Sequence, residues 1–167
     1  MSQRIRFTTC KCTLGYILVG VGKSGICAIL LGNEPVGLVA DLQARYPTAT
    51  LVRKRGSLAK IGVQVRETIE SPATHLPLAL DPGGTAFQQR VWRALRQIPA
   101  GSTATYSDIA LRIGAPRAVR AVARACGANP VAVAIPCHRI VRRDGSLAGY
   151  RWGTNRKREL LRREALA

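Results

Sequence analysis

Apolar positions divide the chain into a first half with strand patterns and a second half with helix patterns. The run YILVGVGKSGICAILLG is apolar on both sides of Gly22-Lys23-Ser24-Gly25, which predicts two strands joined by a tight turn. Val36, Leu38, Val39 and Leu42 predict a helix over 36–45, stopped near Pro47. Leu58, Ile61, Val65 and Ile69 predict another over 57–70. LPLALDPGGTAF, residues 76–87, reads as a strand, then a turn at Asp81-Pro82-Gly83-Gly84 that marks a domain boundary.

Beyond that boundary the period is helical. Thr85 can cap a helix whose stripe is Phe87, Val91, Leu95 and Ile98, ended by Pro99-Ala100-Gly101. Ser107 can cap a short helix through Ile113. Gly114-Ala115-Pro116 then turns the chain into a second helix, from about Pro116 to Cys126 and ended by Gly127. Two short helices about such a turn fit a helix-turn-helix, although plain helical hairpins share the pattern. TNRKRELLRREALA reads as a last, basic amphipathic helix with Leu160 and Leu161 on its apolar side. The expectation is an α+β protein: a small α/β domain over 1–82 and a mostly helical domain over 83–167.

Charge changes this picture. The net formal charge is +17, and residues 85–167 hold sixteen Lys and Arg against four Asp and Glu. Fifteen of those sixteen are arginine, the side chain suited to bidentate phosphate contacts. A polyanionic partner follows, with nucleic acid first. In the second helix of the pair, Arg117, Arg120 and Arg124 fall on one face. Ala118, Ala121 and Ala125 keep the surface between them low, and Val119, Val122 and Cys126 can face the core. A solvated basic helix would show the same spacing.

Other classes drop out. No run of 18 apolar residues occurs, and MSQRIRFTTCKC has no apolar signal-peptide core, so the reading is a cytoplasmic protein without a membrane span. Five cysteines without regular spacing argue against a disulfide framework. Cys10 and Cys12 lack a second pair, so no metal is expected.

The stretch AIPCHRIV, residues 134–141, carries the chemistry. Cys137 becomes a nucleophile if a base takes its proton. His138 is adjacent, but strand neighbours point to opposite faces, so a turn after Pro136 or a bridging water is needed. A carboxylate would then orient the imidazole. Glu164 competes for that role with Asp108, Asp144 and Glu159, and an inert buried Cys137 remains an alternative. Local pattern leaves the role of Arg139 open.

GTAFQQRVWRALRQIP, TYSDIA, RAVRAVARACGANP, IPCHRIV and GYRWGTNRKRELLRRE occur in this order at close spacing. Together they resemble the O6-alkylguanine-DNA alkyltransferase (methylated-DNA–protein-cysteine methyltransferase) family. The first half, with GICAILLG and LPLALD, is similar to its bacterial members of the Ada C-terminal and Ogt type. The resemblance implies a ribonuclease H-like first domain and a winged-helix-like second one. It implies a monomer that binds double-stranded DNA containing O6-alkylguanine, flips the base, and moves the alkyl group irreversibly to its own cysteine, without a cofactor. By the same resemblance Cys137 is the acceptor, His138 takes its proton through a water, Glu164 pairs with His138, and Asn129 is the hinge asparagine. Tyr106 and Tyr150 would meet the flipped nucleotide. Arg120 would fill the gap in the stack from the minor groove, and Arg117, Ala118, Arg124, Ser107 and Arg143 would line the DNA. Trp152 stands where some relatives have glycine, so a bulky ring should restrict large substituents.

Overall fold

A computed structural model describes residues 2–72 and 78–167. The chain divides into two compact units: residues 1–82 with 130–132, and residues 83–129 with 133–167.

The first unit is a four-stranded sheet with two helices. Strands β1 (Arg4–Cys12), β2 (Gly15–Val21) and β3 (Ile26–Gly32) precede helix α1 (Pro35–Arg45), strand β4 (Thr50–Arg53) and helix α2 (Ser57–Glu70). Strand order is β3-β2-β1-β4; β1 and β4 are parallel and the other pairs antiparallel. The apolar run becomes β2 and β3, buried along almost their whole length, and so forms the centre of the core. β1 and β4 escaped sequence reading for different reasons. In β1, Arg4 and Arg6 alternate with buried Ile5 and Phe7, a pattern short of apolar residues. β4 is a four-residue edge strand, too short to show a period.

α1 buries Leu38 and Leu42, but Val36 is 80% exposed because it lies off that stripe. α2 buries Leu58, Val65 and Ile69; Gly62, not Ile61, completes its buried face, against Thr8. Residues 76 and 77 of the expected strand lie outside the described residues. Leu80 forms a parallel bridge to Ile26, and Ile26 also bonds the flanking Ala79 and Asp81.

The second unit is helical: α3 (Ala86–Arg96), α4 (Tyr106–Arg112), α5 (Val119–Gly127) and α6 (Thr154–Leu166). Thr85 caps α3 in a reciprocal box with Gln88. Trp92 on α3 donates its indole N–H to the Ala125 carbonyl at 2.8 Å, fastening α3 to α5. Two sequence expectations need correction here. The cap of α4 is Thr105, which accepts from the Asp108 amide while Asp108 bonds back; Ser107 lies inside the helix. And α5 starts at Val119, not Pro116, with Ala118 at its N-cap. Arg117 therefore sits in the turn before the helix, and Ala125 is buried in the core rather than lying between arginines. Beyond α5, Ala104 bridges Ile140 and Val141 bridges Leu147, a minimal hairpin closed by Asp144 and Ser146.

Candidate active site

The segment from Asn129 to Arg139 presents the thiol. Val133 has φ 67, the left-handed region that β-branched residues avoid, so the backbone is held there against its preference. After Pro136 the chain makes one 3-10 turn, Cys137–Arg139. That turn is what the run of three polar residues encodes: it takes Cys137 and His138 off a strand geometry and buries both.

Asn129, fully buried, fixes the turn from behind. Its side-chain amide donates to the Ile135 carbonyl at 2.8 Å and lies 3.2 Å from Cys137 Sγ. His138 Nε2 lies 2.7 Å from Glu164 Oε1. Of the four carboxylates in this half, only Glu164 reaches it. Asp108 caps α4, Asp144 closes its turn, and Glu159 pairs with Arg162 and Arg163. Glu164 also receives Arg139, whose Nη2 donates to Oε1 at 2.8 Å and whose Nε donates to Oε2 at 3.1 Å. Arg139 additionally bonds the Ile98 carbonyl. The residue that local pattern left undecided is thus a structural partner of the carboxylate.

The protonation pattern follows. Burial alone would push the Glu164 carboxyl up, but hydrogen bonds from His138 and Arg139 outweigh it and take it down to about 2. Glu164 is therefore an anion that only accepts, so His138 Nε2 carries the proton. Burial holds the imidazole below its ordinary value despite Glu164, so the ring is neutral at pH 7 and Nδ1 keeps a free lone pair. Nδ1 is buried and meets no hydrogen-bonding atom among the described residues. Burial also pushes the Cys137 thiol up, while the Asn129 amide and then Lys157 pull it down.

Cys137 lines a cavity of about 190 Å³. Tyr106 from the start of α4 and Ala123, Cys126 and Gly127 from α5 form one wall, and Gly149, Tyr150 and Arg151 form the other. The Tyr150 hydroxyl is buried without a partner among the described residues, and burial raises its pKa well above the ordinary phenol value, so it stays a neutral donor. Trp152 does not line this cavity. It is buried behind Tyr150, with ring centroids 5.3 Å apart, so any effect on the pocket passes through that ring. Arg117, Arg120, Arg124 and Arg143 are exposed. Ser107 and Ala118 are half-buried.

Three residues near the site were missed by sequence reading as parts of it: Arg139, Cys126 and Lys157. Cys126 was assigned only to the core, yet it shares the cavity. Lys157 had one signal, as the only lysine after residue 84. Among the described residues no group of three or more His, Cys, Asp or Glu could hold a metal ion, and no helix is long and apolar enough to cross a membrane.

Comparison with known proteins identifies the family. Residues 86–166 match the family described as 6-O-methylguanine DNA methyltransferase, DNA binding domain. The chain is 49% identical over 161 residues to the bifunctional transcriptional activator/DNA repair enzyme Ada of Escherichia coli, covering 96% of this chain and 46% of that protein. It is 43% identical over 130 residues to the inducible methylated-DNA–protein-cysteine methyltransferase of Bacillus subtilis, covering 77% of this chain and 73% of that one. Among solved structures, Mycobacterium tuberculosis OGT in complex with DNA superposes with a TM-score of 0.79 at 34% identity, over 98% of this chain and 93% of that one. The chain spans about half the length of the Ada relatives it matches. On these matches the chain belongs to the methylated-DNA–protein-cysteine methyltransferase family.

Proposed function

We propose that the protein repairs DNA by direct reversal of damage, accepting the alkyl group of O6-alkylguanine on Cys137 in a single irreversible event. The observation that carries this reading is the buried Cys137 thiol, held by Asn129 on a cavity beside a neutral His138 locked to Glu164. His138 Nδ1 takes the thiol proton through a bridging water. The thiolate attacks the alkyl carbon; the new S–C bond forms as the O6–C bond breaks, and the purine leaves as it gains a proton. Tyr106 and Tyr150 sit where a flipped base would enter and can donate to it. The product is a stable thioether, so each molecule acts once.

A base within the duplex stack cannot reach a buried thiol, so the nucleotide must be flipped, which costs a few kcal/mol of unstacking. Arg120, exposed near the start of α5, fills the gap from the minor groove. Arg117, Arg124 and Arg143 meet phosphates, while half-buried Ala118 and Ser107 permit close approach. We place this activity in a cytoplasmic monomer, without metal or cofactor.

Incubation with duplex DNA carrying O6-methylguanine is expected to add the mass of one CH₂ to the Cys137 peptide, saturating at one group per molecule. An unmodified peptide with intact duplex binding would make the protein a helix-turn-helix binding module without chemistry. A second measurement tests the finger. Arg120→Ala should slow repair of duplex by about tenfold or more, the kinetic equivalent of losing part of the unstacking energy. Reaction with free O6-methylguanine base should stay unchanged, and equal slowing of both would remove Arg120 from that role.

A further inference from the structure

Every basic residue after position 84 is arginine except one. The exception, Lys157, is fully buried, while none of the fifteen arginines is. It lies seven residues before Glu164 on α6, with Leu160 between them, so one helix face carries all three inward. Its Nζ donates to the Ala148 carbonyl at 3.3 Å. Ala148 precedes Gly149, Tyr150 and Arg151, one wall of the Cys137 cavity.

Among the described residues no carboxylate pairs with this ammonium, and the four acids of this half are engaged elsewhere. A buried cation with a single carbonyl partner is poorly compensated. Burial holds Lys157 below the ordinary lysine range, opposed by two thiols, Cys137 first and then Cys126, and reinforced by Arg142. Burial pushes both thiols up, but at Cys126 only Lys157 opposes it, whereas at Cys137 the Asn129 amide, 3.2 Å from Sγ, acts together with Lys157 and Arg151 to favour the thiolate. Tyr106 and Tyr150 share the cavity as neutral phenols, and Arg139 is neutralised by Glu164.

We propose that Lys157 is a positioning residue for the transfer: its ammonium, buried behind the 148–151 loop, is the counter-cation of the Cys137 thiolate and loses that partner when the sulfur is alkylated. This rests on Cys137 being the acceptor. It explains why a lysine stands here. Arginine keeps its charge, whereas a buried lysine can give up its proton. Before transfer, thiolate and ammonium form a neutral pair. After transfer the thioether is neutral, the proton that His138 took from the thiol has passed to the departing guanine, and Lys157, its counter-anion gone, releases its own proton to solvent, so no buried cation is left stranded.

The pH dependence of iodoacetamide labelling at the Cys137 peptide tests this in wild type, Lys157→Met and Lys157→Arg. Lys157→Met should raise the labelling midpoint by about one pH unit or more and slow methyl transfer at neutral pH about tenfold, with duplex affinity unchanged. Lys157→Arg should keep the midpoint at or below that of wild type. An unchanged midpoint in Lys157→Met overturns the proposal. Wild type that forms no adduct instead overturns Cys137 as acceptor, a separate result. If Lys157→Met does not fold, NMR of ε-¹³C-lysine wild-type protein decides. The Lys157 resonance should titrate at lower pH once Cys137 is methylated, and an unmoved midpoint refutes the pairing.

Discussion

Cys137→Ala abolishes methyl transfer outright and leaves affinity for duplex DNA within about tenfold of wild type, a difference of about 1.4 kcal/mol at most. The two halves of this expectation rest on different parts of the molecule. Transfer needs a sulfur on the cavity that can ionise. Cys126 is the other candidate, but burial pushes its thiol up to about 12, so almost none is thiolate at neutral pH. The adduct should therefore vanish rather than move to the Cys126 peptide. Binding is proposed to rest on the exposed arginines, and the Cys137 side chain, 6% exposed, adds nothing to that surface. The variant also removes little structure, since the Asn129 amide keeps its bond to the Ile135 carbonyl. Stoichiometric transfer assays and fluorescence-anisotropy titration with duplex read the two halves separately. A residual adduct on any cysteine would break the first half. A larger loss of affinity would mean that Cys137 and the basic surface do not divide the labour.

How far the sequence could go is visible at particular residues. The apolar run about Gly22–Gly25 is long and its strands are buried along almost their whole length, so β2 and β3 were legible; β1, with Arg4, Arg6 and Lys11 exposed and threonines between, was not. The start of α5 was misplaced because Pro116 is acceptable in a first helical turn, and pattern alone cannot tell that turn from the one preceding it. In the site, Cys137 and His138 were legible from an abrupt polar break in an apolar run, but their geometry was not. It depends on a 3-10 turn and on Val133 in a left-handed conformation that no propensity favours. Glu164 could be ranked against three other acids only by resemblance; the fold separates them by giving each competitor its own partner. Arg139 and Lys157 were illegible for a common reason. In a segment crowded with basic residues, which cation turns inward is set by tertiary packing, not by local spacing.

Glu164→Gln is the substitution with the largest expected cost to stability, about 3–5 kcal/mol, because it removes one partner of a buried charge pair and strands the other. Glu164 is 5% exposed and ties together three pieces of the second unit: His138 and Arg139 on the 3-10 turn, Ile98 through Arg139, and α6 itself. The amide keeps the shape but cannot balance the Arg139 guanidinium, and half of its polar head offers donors to donors. Chemical unfolding should show the loss directly, and a loss below about 1 kcal/mol would mean the pair contributes as little as an exposed one. Combining it with Arg139→Gln should cost less than the sum of the two single changes, since each alone leaves the other unpaired. The pH dependence has a definite sign. The folded-state pKa is lowered, from 4.5 to about 2, so the carboxylate's contribution is complete above the ordinary carboxylate range and is lost as pH falls toward 2. Wild type should therefore lose stability through that window, and Glu164→Gln, with nothing to protonate there, should follow a flatter curve.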